Sequence, residues 1–239
     1  MPIFKKIANQ VEASTSEGNK DQPALITVKD LRTMVGIMGM VLAFFLVLGN
    51  VLVGDCHELQ PSISHYYYTN MRDFFVGTMF GVSVFLFCYK GNNKWDNRAS
   101  MTAAVFAFIT AVLPTNLDTQ FKCQHEVPIF IDFPMRSYVH LGSAGMFLLV
   151  LALMSIILFT KSKHPKDQLP ERKKIRNRIY YFCGYTMIFC LLVLFVYFII
   201  SGVNSQGSYP VALILEAVSL IAFGISWLTK AEVFFPDKM

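Results

Sequence analysis

The chain has 239 residues, 54% of them hydrophobic and 15% charged, with 22 Phe, a mean hydropathy of +0.46 and a formal charge of +5. That balance excludes an ordinary water-soluble domain, in which about a quarter of the residues are charged. It points to a surface that meets lipid, where a basic excess reports membrane orientation rather than nucleic-acid binding.

Six apolar windows reach the roughly 20 residues that a helix needs to cross about 30 Å of hydrocarbon. They are 33–53, 71–89, 99–117, 138–160, 179–201 and 209–228. None alternates like a barrel strand, and lipid offers no water to unpaired backbone groups. The expected fold is therefore all-α: a polytopic membrane protein with a six-transmembrane-helix bundle over residues 31–232. The first window begins beyond residue 30 and lacks the short core and cleavage site of a secretory signal, so it is expected to stay as the first span. No lipidation motif is seen. With six spans, eighteen Lys and Arg fall on one side, whereas the other holds only Arg72, Lys122 and Arg136. The positive-inside rule then places both tails, 1–30 and 233–239, in the cytoplasm, with a bacterial inner membrane or an endomembrane as the location.

In chain order, the first tail sets Ile3, Phe4, Ile7, Ala8 and Val11 on one helical face before the polar run Ser14 to Asp21. A solvated tail and a helix lying on the inner surface are its two readings. The first outer loop contains Cys56 and the second Cys123, both on the oxidising side, whereas Cys88, Cys183 and Cys190 fall within spans. A Cys56–Cys123 disulfide tying the two loops is expected. Ahead of the second span comes a polar, aromatic junction with Ser62, Ser64, His65, Tyr66, Tyr67, Tyr68 and Arg72. Within that span Asp73, Gly77, Gly81, Val84 and Cys88 recur every three or four residues, a stripe expected to meet another helix and to turn Asp73 inward.

The third window ends at Pro114, Asn116 and Asp118, and the outer loop 119–136 follows as a cap or a flap. The fourth opens with His140, then Gly142 and Gly145 as a second close-approach surface. The run ERKKIRNR at 171–178 extends the fifth helix beyond the membrane as part of a solvated basic loop. The sixth holds Glu216, the only acid deep in any apolar run and about 9 Å into its helix. Ionised carboxylates there cost several kcal/mol unless paired, and His140, at a matching depth, is the expected partner.

Four readings of these residues compete. In a metal hydrolase, His65, His140 and Asp73, with Asp118 or Glu216 as further carboxylates, would hold zinc with one open position and activate water against a lipid ester or amide. No HxxxH or HExxH pair supports it. In metal-free catalysis, Ser64 or Ser62 would be the nucleophile, activated by His65 or His140 and oriented by a carboxylate, without a GxSxG elbow. The candidate catalytic set is thus His140, Glu216, Asp73, Ser64 and His65. In recognition without chemistry, Arg72, Tyr66, Tyr67 and Asp118 would grip a headgroup. In the structural reading the polar groups only fix helix packing, and Tyr66 to Tyr68 with Tyr209 form an interfacial belt.

The segment Pro61, Ser62, Ile63, Ser64 after the first span, His140 and Gly142 opening the fourth, the inward Glu216, and Phe234 and Phe235 just beyond the sixth together resemble the Frag1/DRAM/Sfk1 group of six-span membrane proteins. The likeness extends over most of the chain. The run HYYYTNMRDFFVG is similar to loops of bacterial multi-span membrane proteins, and a more distant likeness to seven-span ceramidase-type hydrolases rests on Ser, His and Asp residue types. The resemblance implies a lipid-linked role, such as remodelling of lipid anchors or a membrane stress response. The combined expectation is an outward-facing polar pocket that binds or remodels a lipid headgroup. Membrane lipids are its partners, zinc is the cofactor of the hydrolase reading, and the glycine stripes serve equally within one subunit or between copies of a homo-oligomer.

Overall fold

The computed structural model describes residues 27–54, 56–91, 93–118, 123–162, 165, 168–201 and 210–236. Expectations for the tail at 1–26, Lys122 and Tyr209 lie outside the described residues. Among the described residues the regular structure is helical and no strand occurs. The helices are α1 (Val28–Leu52), α2 (Arg72–Cys88), α3 (Lys94–Val112), α4 (Arg136–Leu153), α5 (Glu171–Ser201) and α6 (Val211–Lys230). A 3-10 helix, Ile63–Tyr68, precedes α2, and a π-helical turn, Met154–Phe159, continues α4.

Local chemistry sets these ends. Thr27 and Asp30 form a capping box at α1: Thr27 Oγ1 accepts from the Asp30 amide at 3.1 Å, and Asp30 Oδ2 from the Thr27 amide at 2.9 Å. Asn93 caps α3 by accepting from the amides of Trp95 and Asp96. Pro114 cannot continue that helix, so α3 stops at Val112.

Four helices are long and apolar enough to cross a membrane: α1, α4 with its π turn, α5 and α6. The other two fall short for different reasons. α2 has 17 residues, about 25 Å of helix, and α3 begins with Lys94, Asp96, Asn97 and Arg98, which dilute its apolar stretch.

Each helix packs on its neighbours in sequence, and α6 closes the ring on α1. Glycines make that closure. A Cβ on Gly224 would lie 2.6 Å from Gly36 O, and one on Gly36 would lie 3.1 Å from Gly224 O, so the two backbones touch with no room for a side chain. Toward the Lys230 end of α6 the interior is aromatic: fully buried Trp227 meets Tyr89, Phe159 and Phe223, with ring centroids 5.3, 5.5 and 5.9 Å away. The Ser155 hydroxyl bridges Ser226 Oγ at 2.7 Å and Tyr180 O at 2.9 Å, joining the π turn, α5 and α6 by polar contacts that lipid cannot compete for.

Three expectations about faces are corrected. On α2 the buried residues are Phe75, Met79, Val82, Ser83 and Leu86, whereas Asp73, Gly77, Val84 and Cys88 are exposed, so most of the stripe faces outward and Asp73 points away from the bundle, while half-buried Gly81 does meet α1, where a Cβ would lie 2.5 Å from Met38 Cε. Both faces of this helix are apolar, and the bulkier one fills the interior better. Gly142 and Gly145 are not close-approach points: a Cβ on either would meet nothing within 4 Å. Tyr66, Tyr67 and Tyr68 are 0%, 4% and 2% exposed, part of the core rather than a belt.

The Cys56–Cys123 disulfide is present and draws the loop before α4 over the 3-10 helix. His125 N donates to Tyr68 O at 2.8 Å, Gln124 Nε2 to Gln60 Oε1 at 2.9 Å, and Arg72 Nη2 to Pro128 O at 3.1 Å. Its described part, from residue 123 onward, is therefore a packed cap.

Candidate functional site

The site grows from the segment Pro61 to His65, which α6 holds from one side and α4 from the other. At the start of α6 the amide of Leu213, which has no partner within its own helix, donates to Pro61 O at 3.0 Å. One turn on, Glu216 Oε2 accepts from the Ile63 amide at 2.7 Å, the only hydrogen bond to that carboxylate among the described residues. Pro61 and Ile63 are thus pinned at two points. The side chains between and beyond them diverge: Ser62 Oγ bonds His65 Nδ1 at 2.7 Å, while Ser64 Oγ bonds His140 Nε2 at 2.8 Å.

His140 owes its orientation to the broken end of α3. Stopping the helix at Pro114 leaves carbonyls without helical donors. His140 Nδ1 takes Leu113 O, Arg136 Nε takes Pro114 O at 3.1 Å, and Tyr68 OH takes Thr115 O at 2.6 Å. Carbonyls only accept, so in the neutral ring Nδ1 carries the proton and Nε2 presents its lone pair to the Ser64 hydroxyl. The His140 turn is further tied to α3, since Ser143 Oγ donates to His140 O at 2.8 Å and lies 3.0 Å from Thr110 Oγ1.

Ser64 opens onto a cavity of about 680 Å³. Its walls are apolar, built from α4 between Tyr138 and Leu149, α5 between Ile188 and Ile199, and Leu42, Phe75, Met79 and Leu220. Ser64, Thr110 and Glu216 supply polar groups to this lining. The two long walls meet closely at the π turn, where a Cβ on Gly184 would lie 3.1 Å from Ala152 O, and leave open space beside Gly142 and Gly145. Among residues 61–69 Ser64 alone is not buried, and its exposure is toward this cavity.

The second histidine is scaffold. His65 is 3% exposed, and burial, with a smaller push from the charge of His140, lowers it to about 3. It is neutral at physiological pH and holds Ser62. Burial likewise pushes the Tyr66 phenol up to about 12.

The structure therefore joins Ser64 to His140 directly and Glu216 to the same segment through Ile63. Glu216 and His140, expected as partners, are instead bridged by two consecutive loop residues, because the loop supplies a backbone donor to one and a hydroxyl to the other. Asp73 is exposed and takes no part. Among the described residues no three His, Cys, Asp or Glu side chains converge as a metal site, so His65, His140 and Asp73 do not form the expected zinc set. Arg72 is engaged within the loop: its guanidinium lies 4.7 Å from the Tyr67 ring and donates to Tyr67 OH at 3.0 Å. Asp118 sits in the same cap, its amide donating to Gln124 Oε1 at 2.9 Å. Tyr66 and Tyr67, buried as they are, present no gripping surface. The sequence alone does not mark Leu113 and Thr110; Pro114 is the signal that an orphaned carbonyl lies beside it.

Fold and site together define a helical bundle with the make-up of a multi-pass membrane protein and an apolar cavity to whose lining Ser64, Thr110 and Glu216 bring polar groups, with His140 behind Ser64. No family model, curated protein or solved structure matches the chain.

Proposed function

We propose that this protein spans the membrane six times, with both termini cytoplasmic, and takes a lipid chain into the cavity with its head at Ser64 and Glu216. The observation that carries this reading is the shape and chemistry of the cavity. About 680 Å³ lies within the range of small-molecule sites, its walls are hydrocarbon, and its polar groups come from the loop, α3 and α6. Space beside Gly142 and Gly145, between α4 and α5, offers lateral entry from the bilayer.

Six spans are supported by the outward residues of the two shorter helices. Phe80, Val84 and Phe87 on α2, and Met101, Val105 and Phe108 on α3, are exposed and apolar, as lipid contact demands. The eighteen-to-three division of basic residues supports the orientation. A membrane-impermeant maleimide should label Phe130→Cys from outside and Lys161→Cys only after permeabilisation.

The decisive test is extraction and mass spectrometry of lipid from protein purified in mild detergent. Near-stoichiometric lipid is expected in the wild type, and several-fold less in Gly145→Phe, whose ring occupies the cavity while the melting temperature holds. Folded wild-type protein free of lipid would overturn the reading.

A further inference from the structure

We propose that Ser64 is a nucleophile and His140 its general base, so that the cavity takes the acyl ester of a lipid and transfers the acyl group through Ser64. This rests on the lipid-binding reading of the cavity and adds a reaction to it. The geometry has the order an acyl-transfer site requires. Ser64 stands between the cavity and His140: the serine lines the cavity, and the imidazole lies behind it at 2.8 Å, within the reach of a base that takes the hydroxyl proton. The ring has a third group that orients it, as such sites need, in Leu113 O. That carbonyl cannot accept in any other tautomer, so it fixes Nε2 as the basic nitrogen without a carboxylate.

A packing role alone accounts less well for the arrangement. Ser64 is the one residue of 61–69 that is not buried, and with Ile63 it lines the cavity, whereas the neighbouring serine–histidine pair, Ser62 with His65, is sealed in the core. Two similar pairs, whose serines stand two residues apart, thus have opposite access. Only the accessible one shares its cavity with the carboxylate of Glu216, which is a positioning residue: by holding the Ile63 amide it fixes the backbone next to Ser64.

In the first step Ser64 Oγ attacks the ester carbonyl carbon and its proton passes to His140 Nε2. The carbon–oxygen bond to the leaving alcohol breaks, and the alcohol leaves with that proton. Acyl-Ser64 remains. In the second step water, or a second alcohol, gives its proton to Nε2 and attacks the acyl carbon, and the returned proton restores the Ser64 hydroxyl. The products are a fatty acid or a new ester, with no metal or oxidant in the balance.

The test uses full-length protein in mild detergent and an alkyl fluorophosphonate, which forms a stable phosphonyl ester with an activated serine and releases fluoride. Peptide mass spectrometry should place the adduct on Ser64. Ser64→Ala should abolish it, and His140→Gln should slow it at least about 100-fold. Should His140→Gln not fold, the pH profile of wild-type labelling decides instead: the rate must rise with a single deprotonation and then level off. Absence of an adduct on Ser64 in folded protein that still carries lipid would overturn the nucleophile and leave the binding reading standing. So would a labelling rate indifferent to His140 or rising with hydroxide throughout. An adduct on Ser64 in protein that never carries lipid would support the nucleophile and remove the lipid reading.

Discussion

His140 Nε2 lies 2.8 Å from Ser64 Oγ although 76 residues separate the two in sequence. Three independent features produce this contact. Pro114 ends α3 and frees the Leu113 carbonyl for His140 Nδ1. Glu216 and Leu213 on α6 hold the backbone of Ile63 and Pro61. The disulfide and the packed cap hold the loop above them. The contact can therefore be disturbed from several directions, and each disturbance has its own signature.

Glu216→Gln and Glu216→Ala should differ. Glutamine keeps a carbonyl oxygen for the Ile63 amide, so stability should change by less than about 1 kcal/mol. Alanine leaves that buried amide unpaired at a cost of roughly 1–3 kcal/mol. Thermal melts in detergent compare the two, and equal losses would show that the hydrogen bond is not what Glu216 contributes.

Reduction of the disulfide, or Cys56→Ser, should lower stability by roughly 2–4 kcal/mol, because the bridge closes a loop across a separation of 67 residues and restricts the unfolded chain. Melting with and without reductant measures it. An unchanged melting temperature would mean that the cap is held by its hydrogen bonds alone.

Gly224→Ala should separate α1 from α6. The added Cβ would lie 2.6 Å from Gly36 O and 2.1 Å from Met40 Cγ, and the backbone oxygen cannot turn aside. A loss of about 1–3 kcal/mol is expected, as for overpacking elsewhere. Gly142→Ala, with nothing within 4 Å, should instead gain up to about 1 kcal/mol from helix propensity.

Stability should fall in mild acid through His65. Its folded value, about 3, lies below an unfolded value near 6.5, so below pH 6.5 the unfolded state binds the extra proton. The contribution is complete above that pH and is lost as pH falls toward 3. Between pH 7 and pH 5 this amounts to about 2 kcal/mol, from 1.36 kcal/mol per unit. Melting curves across this range should show the slope in the wild type and a reduced slope in His65→Gln.

Composition and window length determined on their own that the chain is helical and built for lipid, since hydrocarbon permits no unpaired backbone and these windows have no strand alternation. The two cysteines that fall in loops, against three within apolar runs, pointed to the pair that is bonded. Residue type also drew attention to His140, Ser64 and Glu216, because ionisable and hydroxyl groups stand out against an apolar background.

Only the tertiary structure decided which face of each helix turns inward. In lipid both faces are apolar, so periodicity carries little directional information: of the expected stripe on α2, Asp73, Gly77, Val84 and Cys88 face outward and Gly81 meets α1. It likewise decided that His140 meets Ser64 rather than Glu216. That choice depends on a backbone carbonyl at Leu113 and a backbone amide at Ile63, groups that every residue carries and that acquire a partner only when the chain brings distant segments together.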